Sequence, residues 1–416
     1  MEMKSIVFLA CAGIAALGLA ARPNVTVTSM RDASGTLQVQ YTVDAPAVVT
    51  FDVLTNGVPI GGEWTATGVK GDVFRRVAAG THGFQWKAYH EGLEEFRLDG
   101  ATAKVRVKAW ALDAPPDYVV FDLQNGASAT YYENAGQIAG GVTNDVYKTT
   151  KLVMRKIPAA YETFRMGTPY SENGRQSNEA ATLVTLTNDY YLGVYPLTYA
   201  HYAYGTGTDS TSRTPLRGGF YGVRGGDNGT KAWPEDGHAV DKDTCVIYML
   251  REGTGLPFDL PTRAQWEFAC RAGEKAALYT GGELTVTDAA ADEALDDIAW
   301  YGYNTPRSGD SFQIPEVGQK QPNAWGLYDM LGLVWEWVLD RDWSLPGGTL
   351  VEPKGAASGD NRQRCGGGYD SPPYRCRSAS VLYNRPTYSN DGASGVNGIC
   401  NNNQGLRLWL PATAER

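Results

Sequence analysis

The chain has 416 residues, a hydrophobic fraction of 43% and a formal net charge of −9. That length allows two or three domains, and the hydrophobic share is that of an ordinary globular protein. The acidic balance argues against a nucleic-acid partner, since such binders usually carry a basic stripe, and none is expected. Its 49 glycines, 24 tyrosines and 11 tryptophans predict a turn-rich fold with many aromatic anchors.

Residues 1–21 read as a signal peptide. Lys4 supplies a positive start, Ile6 to Ala16 an apolar stretch, and Gly18-Leu19-Ala20 small residues for cleavage. The stretch is too short and alanine-rich for a membrane span. Phe8-Leu9-Ala10 before Cys11 makes a poor lipobox. The expected location is therefore secreted, periplasmic or cell-surface. Beyond the signal lie Cys245, Cys270, Cys365, Cys376 and Cys400. Export favours disulfides, and an odd number leaves at least one thiol free or paired elsewhere.

Residues 24–112 read as an all-β domain. Val25/Val27, Leu37/Val39/Tyr41/Val43, Phe51/Val53, Phe84/Trp86 and Val105/Val107 alternate with period two. Turn signals at Ser34-Gly35, Asn56-Gly57, Gly61-Gly62 and His82-Gly83 separate them, a spacing that fits an immunoglobulin-like sandwich. Such a module could bind a surface or carbohydrate. Fold alone assigns no ligand, so a spacer is the simpler expectation. Residues 113–150 read as a connector, stiffened by Pro115-Pro116, with Tyr118–Leu123 as one strand.

A second domain is expected over 151–411, with two clear helices among short strands and long loops, an α+β class. One covers about Asp241–Glu252, with Val246, Met249 and Leu250 on one face. The other covers Thr262–Ala272: Thr262 is the N-cap, Gln265 completes a capping box, and Gly273 is the expected stop. Trp266, Trp335 and Trp337 read as core. The only histidines in this domain, His201 and His238, have no metal-ligand spacing, and neither a GxSxG elbow nor a P-loop occurs.

Three blocks carry a family likeness: Leu260–Gly273 (LPTRAQWEFACRAG), Pro322–Asp340 (PNAWGLYDMLGLVWEWVLD), and Cys365–Ala379 (CGGGYDSPPYRCRSA) closing with Gly405–Leu410 (GLRLWL). Tyr190–Tyr202 (YYLGVYPLTYAHY) matches the opening hairpin pattern, with Pro196 where a glutamate is usual. In order and content these resemble the formylglycine-generating enzyme family, also called sulfatase-modifying factors. The resemblance covers about residues 150–410 and implies a C-type-lectin-like fold.

The family's reaction is the oxidation of a sulfatase cysteine on copper(I) held by two cysteines, a ligand pair that suits a soft cation. In this chain the first cysteine column falls on Ser371. The second falls on Cys376 if no gap is placed. With a gap, Cys376-Arg377-Ser378-Ala379 corresponds to the CRSA block of non-catalytic members. The pair is broken either way, so copper is not expected; were the chain an enzyme, Cys376 and Ser371 would be the catalytic candidates. The resemblance also implies a Cys270–Cys376 disulfide, while Cys365 with Cys400 is one further pairing. It implies calcium held by Asp297, Asp310 and the carbonyls of Ile298 and Phe312. A weaker site would use Leu333, where the family has an asparagine, and Glu336.

The segment Val381–Gln404 is longer than the family's and rich in Tyr, Ser, Asn, Asp and Gly, the composition of adaptable recognition loops. The same frame displays ligand-binding residues in the variable proteins of diversity-generating retroelements. Tyr369, Tyr374, Tyr383 and Tyr388 are the candidate contact residues. The expected function is a non-catalytic, extracellular recognition module for a protein or glycan. The alternative is an oxidoreductase of the formylglycine-generating kind with a non-standard site at Ser371 and Cys376.

Overall fold

The computed structural model describes residues 23–33, 36–60, 68–87, 103–206, 211–219, 245–286, 290–359, 361–384 and 403–413. The expected signal at 1–21 and the segment 385–402, with Tyr388 and Cys400, lie outside the described residues. The chain divides into two units, Met1–Val120 with Ala129–Asn144, and Phe121–Ser128 with Asp145–Arg416. The division falls inside the segment expected as a connector.

In the first unit, β1 (Val25–Ala33), β2 (Thr36–Val43), β7 (Gly80–Lys87) and β5 (Val69–Gly71) form one sheet in the order β1-β2-β7-β5. In a second sheet, β3 (Ala47–Thr55) pairs along its length with β8 (Ala103–Ala111). Its other edge pairs with β4 (Val58–Pro59) and β6 (Arg75–Val77). The period-two residues Leu37, Val39, Tyr41, Phe51, Val53, Phe84 and Trp86 are all buried. Phe51 of β3 meets Phe84 and Trp86 of β7 at ring-centroid distances of 4.8 and 5.9 Å, which joins the two sheets.

β3 is buried on both faces, and alternation alone does not explain that. Residues 129–144 lie over its outer face. Thr50 Oγ1 donates to Glu133 Oε1 at 2.8 Å, Trp110 Nε1 donates to Thr50 Oγ1 at 2.9 Å, and Lys108 pairs with Glu133. Part of the expected connector is thus structural cover: the buried Thr50 and the buried Glu133 each need a partner, and each supplies the other's.

In the second unit the described helices are α1 (Tyr199–Thr206), α2 (Val246–Thr254) and α3 (Arg263–Arg271). α1 replaces the second half of the expected hairpin over Tyr190–Tyr202. Only β10 (Tyr190–Gly193) is a strand there, pairing with β9 (Lys151–Ile157) and β15 (Trp409–Pro411). The Thr198 hydroxyl accepts the His201 N–H at 3.1 Å and starts the helix. α3 has the expected capping box, Gln265 N–H to Thr262 Oγ1 and Thr262 N–H to Gln265 Oε1. It ends one residue early, because Ala272 itself takes the left-handed conformation, φ 48°, ahead of Gly273.

β11 (Trp335–Arg341) sits in the middle of a four-stranded sheet. β12 (Arg362–Cys365) lies on one side, followed by the edge strand β13 (Val381–Asn384), and β14 (Gln404–Gly405) lies on the other. α3 docks on this sheet. Asp340 of β11 accepts the Arg263 N–H at 2.6 Å, a carboxylate at a helix N-terminus. Trp266, Trp335 and Trp337 are buried as expected.

Candidate functional site

The place where the family's copper pair would sit is a tight loop after β12. Gly366 and Gly367 have φ of 91° and 83°. A Cβ on Gly366 would lie 2.7 Å from Met330 O, and one on Gly367 2.6 Å from Cys376 Sγ, so no side chain fits either position. The next turn closes through Ser371 N–H to Gly368 O at 2.9 Å. The Ser371 hydroxyl then accepts two donors, Gly368 N–H at 3.0 Å and Trp335 Nε1–H at 3.1 Å. Ser371 is buried and serves as the acceptor that fixes the loop on the β11 tryptophan.

Cys376 lies beneath Gly367 and is fully buried; burial pushes its thiol well above the usual range. Cys270 is also fully buried. Burial, the largest effect, pushes its thiol up to about 12, and its S–H donates to Ser378 Oγ at 3.7 Å. The two cysteines share one hydrophobic core, but both are free thiols, so the expected bridge between them is not formed. A hydroxyl saturated by two donors and a buried neutral thiol do not fit a copper(I) pair, which requires thiolates.

The weaker calcium set is reassigned. Both Glu336 oxygens are taken: Arg407 reaches them through Nε at 3.1 and 3.0 Å and Nη2 at 2.7 Å, and Trp266 Nε1 donates at 2.6 Å. Arg407 spends its remaining donors on the carbonyls of Gly193, Val194 and Tyr328 at 2.7–2.9 Å. Leu333 holds φ 60°, donates to Trp300 O and accepts from Tyr369 N–H. Glu336 is therefore one half of a buried ion pair, and Leu333 is a turn residue.

Among the first calcium set, Asp297 and Asp310 are exposed, and neither carboxylate accepts a hydrogen bond from a described residue. Asp310 lies in the turn between the short strands Arg307–Ser308 and Ser311–Phe312. The Ile298 carbonyl accepts the Tyr279 hydroxyl at 3.0 Å. Nearby, Lys320 lies over the Trp300 ring at 3.9 Å and donates to Asp296 O. Among the described residues no group of three or more His, Cys, Asp or Glu could hold a metal.

The tyrosines separate. Tyr369 is buried, edge-on to Phe312 at 5.4 Å, and is not a surface contact. Tyr374 is half-buried between Gly174 and the Arg375 guanidinium. Tyr383 projects from the edge strand β13 and is exposed.

The reading from sequence did not find Arg377. Fully buried, it donates to Glu172 at 2.5 Å and to both oxygens of Glu179 at 3.0 and 2.8 Å, tying residues 172–179 to the end of the site loop. Its only signal was an arginine embedded in small and apolar residues.

The description "Sulfatase-modifying factor enzyme 1-like domain" matches residues 160–396, more than half of the chain. The formylglycine-generating enzyme of Mus musculus is 34% identical over 156 residues, 36% of this chain and 40% of that protein. The one from Thermomonospora curvata is 34% identical over 163 residues, 36% of this chain and 50% of that protein. The chain thus spans half or less of the curated relatives it matches. Among solved structures, PvdO from Pseudomonas aeruginosa aligns with 22% identity and a TM-score of 0.43, over 62% of this chain and 94% of PvdO.

Proposed function

The chain belongs to the sulfatase-modifying-factor family, and within it we propose an exported recognition module that works through the loops after β12 instead of oxidising a cysteine. The observation that carries this reading is the Ser371 hydroxyl, held between Trp335 Nε1 and Gly368 N–H where a copper ligand would stand. The buried Cys376 thiol supports it, since a metal ligand or nucleophile needs the thiolate. The first unit is proposed as an immunoglobulin-like spacer, and the second as a C-type-lectin-like frame.

Anaerobic copper(I) titration of the full chain, followed by oxygen consumption with a cysteine peptide, tests the reading. It predicts no stoichiometric copper(I) binding and no turnover. Oxygen-dependent oxidation of the peptide that disappears in Cys376→Ala would sink it.

Calcium remains part of the proposal, held by the exposed carboxylates of Asp297 and Asp310 with the carbonyls of Ile298 and Phe312, because hard oxygen donors suit that ion. A melting temperature raised by calcium in the parent, and unmoved in Asp297→Asn/Asp310→Asn, is the expected result. An equal rise in both would remove the site.

A further inference from the structure

We infer that the surface around the Gly366–Cys376 loop takes an anionic glycan, reading sulfate or uronate carboxylate groups carried on sugar rings; this rests on the recognition role proposed above. The chain has more acids than bases, and carboxylates answer many of its arginines. Arg106, Arg213, Arg251, Arg271, Arg377 and Arg407 all pair with Asp or Glu. Four arginines at the loop do not. Arg307 lies over Phe312 at 3.9 Å, Arg175 over Tyr170 at 4.2 Å, Arg364 over Trp335 at 5.1 Å and Arg375 over Tyr374 at 5.1 Å. None of the four forms an ion pair with a described carboxylate.

Stacking on a ring uses one face of a guanidinium and holds its rotamer. Arg307 spends one donor on Gly302 O and Arg364 Nη1 donates to Asn403 Oδ1 at 3.3 Å; the other N–H groups are left for a partner, and a guanidinium's donors match a carboxylate or sulfate. Arg364 is also poorly hydrated: burial, the largest effect, lowers its affinity for the proton to a pKa of about 10. An anion would restore what burial removes.

The four belong to one place. Gly302 N–H donates to Ser371 O at 2.9 Å, and Arg307 Nη2 donates to Gly302 O at 3.3 Å. Phe312 stands edge-on to Tyr369, and Gly174 packs on Tyr374 so closely that a Cβ would lie 2.6 Å from it. Segments 170–175, 302–312 and 369–375 therefore converge. Besides Glu172, which Arg377 takes, two acids lie in these segments: Asp370, whose Oδ1 Asn403 Nδ2 holds at 2.7 Å, and Asp310, exposed in the turn before Ser311.

A glycan fits this surface better than an acidic peptide. The exposed large hydrophobics here are tyrosines: Tyr170 (91%) and Tyr303 (52%), with Tyr383 (51%) on β13. The exposed aliphatics among the described residues, Val58, Val146, Leu183 and Val351, lie in other segments. A protein interface is built round a desolvated apolar centre. A phenol face beside guanidinium edges suits the C–H face of a sugar and the anion it carries.

The test uses the full chain, with binding measured by calorimetry against heparin, polygalacturonate, dextran and polyglutamate. Heparin or polygalacturonate should bind, more weakly as salt rises, and the stronger of the two identifies sulfate or carboxylate as the anion. Arg307→Ala/Arg375→Ala should weaken binding at least about tenfold, the loss of one to two charge-assisted hydrogen bonds. If that variant unfolds, Arg307→Lys/Arg375→Lys keeps the charge, removes the fork, and should still lower affinity. Tyr303→Ala should cost several-fold, and Arg165→Ala, outside the surface, nothing. Failure of both anionic glycans to bind at low salt overturns the inference. So does equal binding of dextran or polyglutamate, or an unchanged affinity in the arginine variants. None of those outcomes touches the copper and turnover experiment, which decides the recognition role separately.

Discussion

Arg407 and Ser371 reach β11 from the two ends of the third sequence block. Arg407 answers Glu336 with three contacts at 2.7–3.1 Å, and both side chains are fully buried. Ser371 answers Trp335, the residue next to Glu336, with one contact at 3.1 Å in a loop at the core's edge. The first contact is between charges, and losing either partner leaves the other buried and unpaired. The second asks only for an acceptor of the right size, which a hydroxyl supplies. The buried frame and the loop after β12 are therefore held by different contacts, and each can be disturbed separately.

The largest effect expected from disturbing the first contact is in Arg407→Met. It strands Glu336 and three carbonyls and should cost about 3–5 kcal/mol in urea unfolding; a loss below about 1 kcal/mol would mean the pair is not what holds the frame. Next comes Asp340, fully buried at the N-terminus of α3 and raised by burial to about 6. Its folded value lies above its unfolded one, so its contribution is complete below about pH 4 and is lost as pH rises through about 6. It faces Arg263 and Arg362, whose charges only partly offset burial. Asp340→Asn keeps an acceptor for Arg263 N–H and should flatten the fall in stability between pH 4 and 6.5 by on the order of 2 kcal/mol. An unchanged pH profile would contradict this assignment.

At the second contact, Ser371→Ala leaves the Trp335 indole and Gly368 N–H without an acceptor and should cost about 1–2 kcal/mol. Thermal unfolding of the variant checks it. If stability is unchanged, the hydroxyl does not fix the loop, and a catalytic use of Ser371 gains ground. Smallest of all, Arg307→Ala should change stability by less than about 0.5 kcal/mol, since it is exposed and pairs with no described carboxylate. A larger loss would make Arg307 part of the scaffold rather than of the surface.

What was legible in the sequence was local. The capping box of α3 links residues three apart, and the strand faces of β2 and β7 repeat every second residue. Both can be read without knowing what lies opposite. The Glu336–Arg407 and Glu179–Arg377 pairs join residues 71 and 198 apart, so no spacing rule reveals them, and from sequence alone Glu336 resembles a weak calcium ligand because its partner is distant in the chain. Tyr369 failed for the same reason. Its loop composition suggested a surface, but Phe312 and Leu333 come from elsewhere to bury it. The cover that 129–144 gives β3 was missed because a polar, glycine-containing stretch reads as a linker until Thr50 and Lys108 show what Glu133 is for.

The most direct test of the central claim is the accessibility of Cys376. The reduced, folded chain would be treated with iodoacetamide at about pH 7.5, and the modified cysteines located by mass spectrometry before and after unfolding. The account predicts that Cys376 and Cys270 are alkylated only once the protein unfolds, because both are buried and neutral. Labelling of Cys376 in the folded chain, at the rate of an exposed thiol, would place it in an open site and contradict the account.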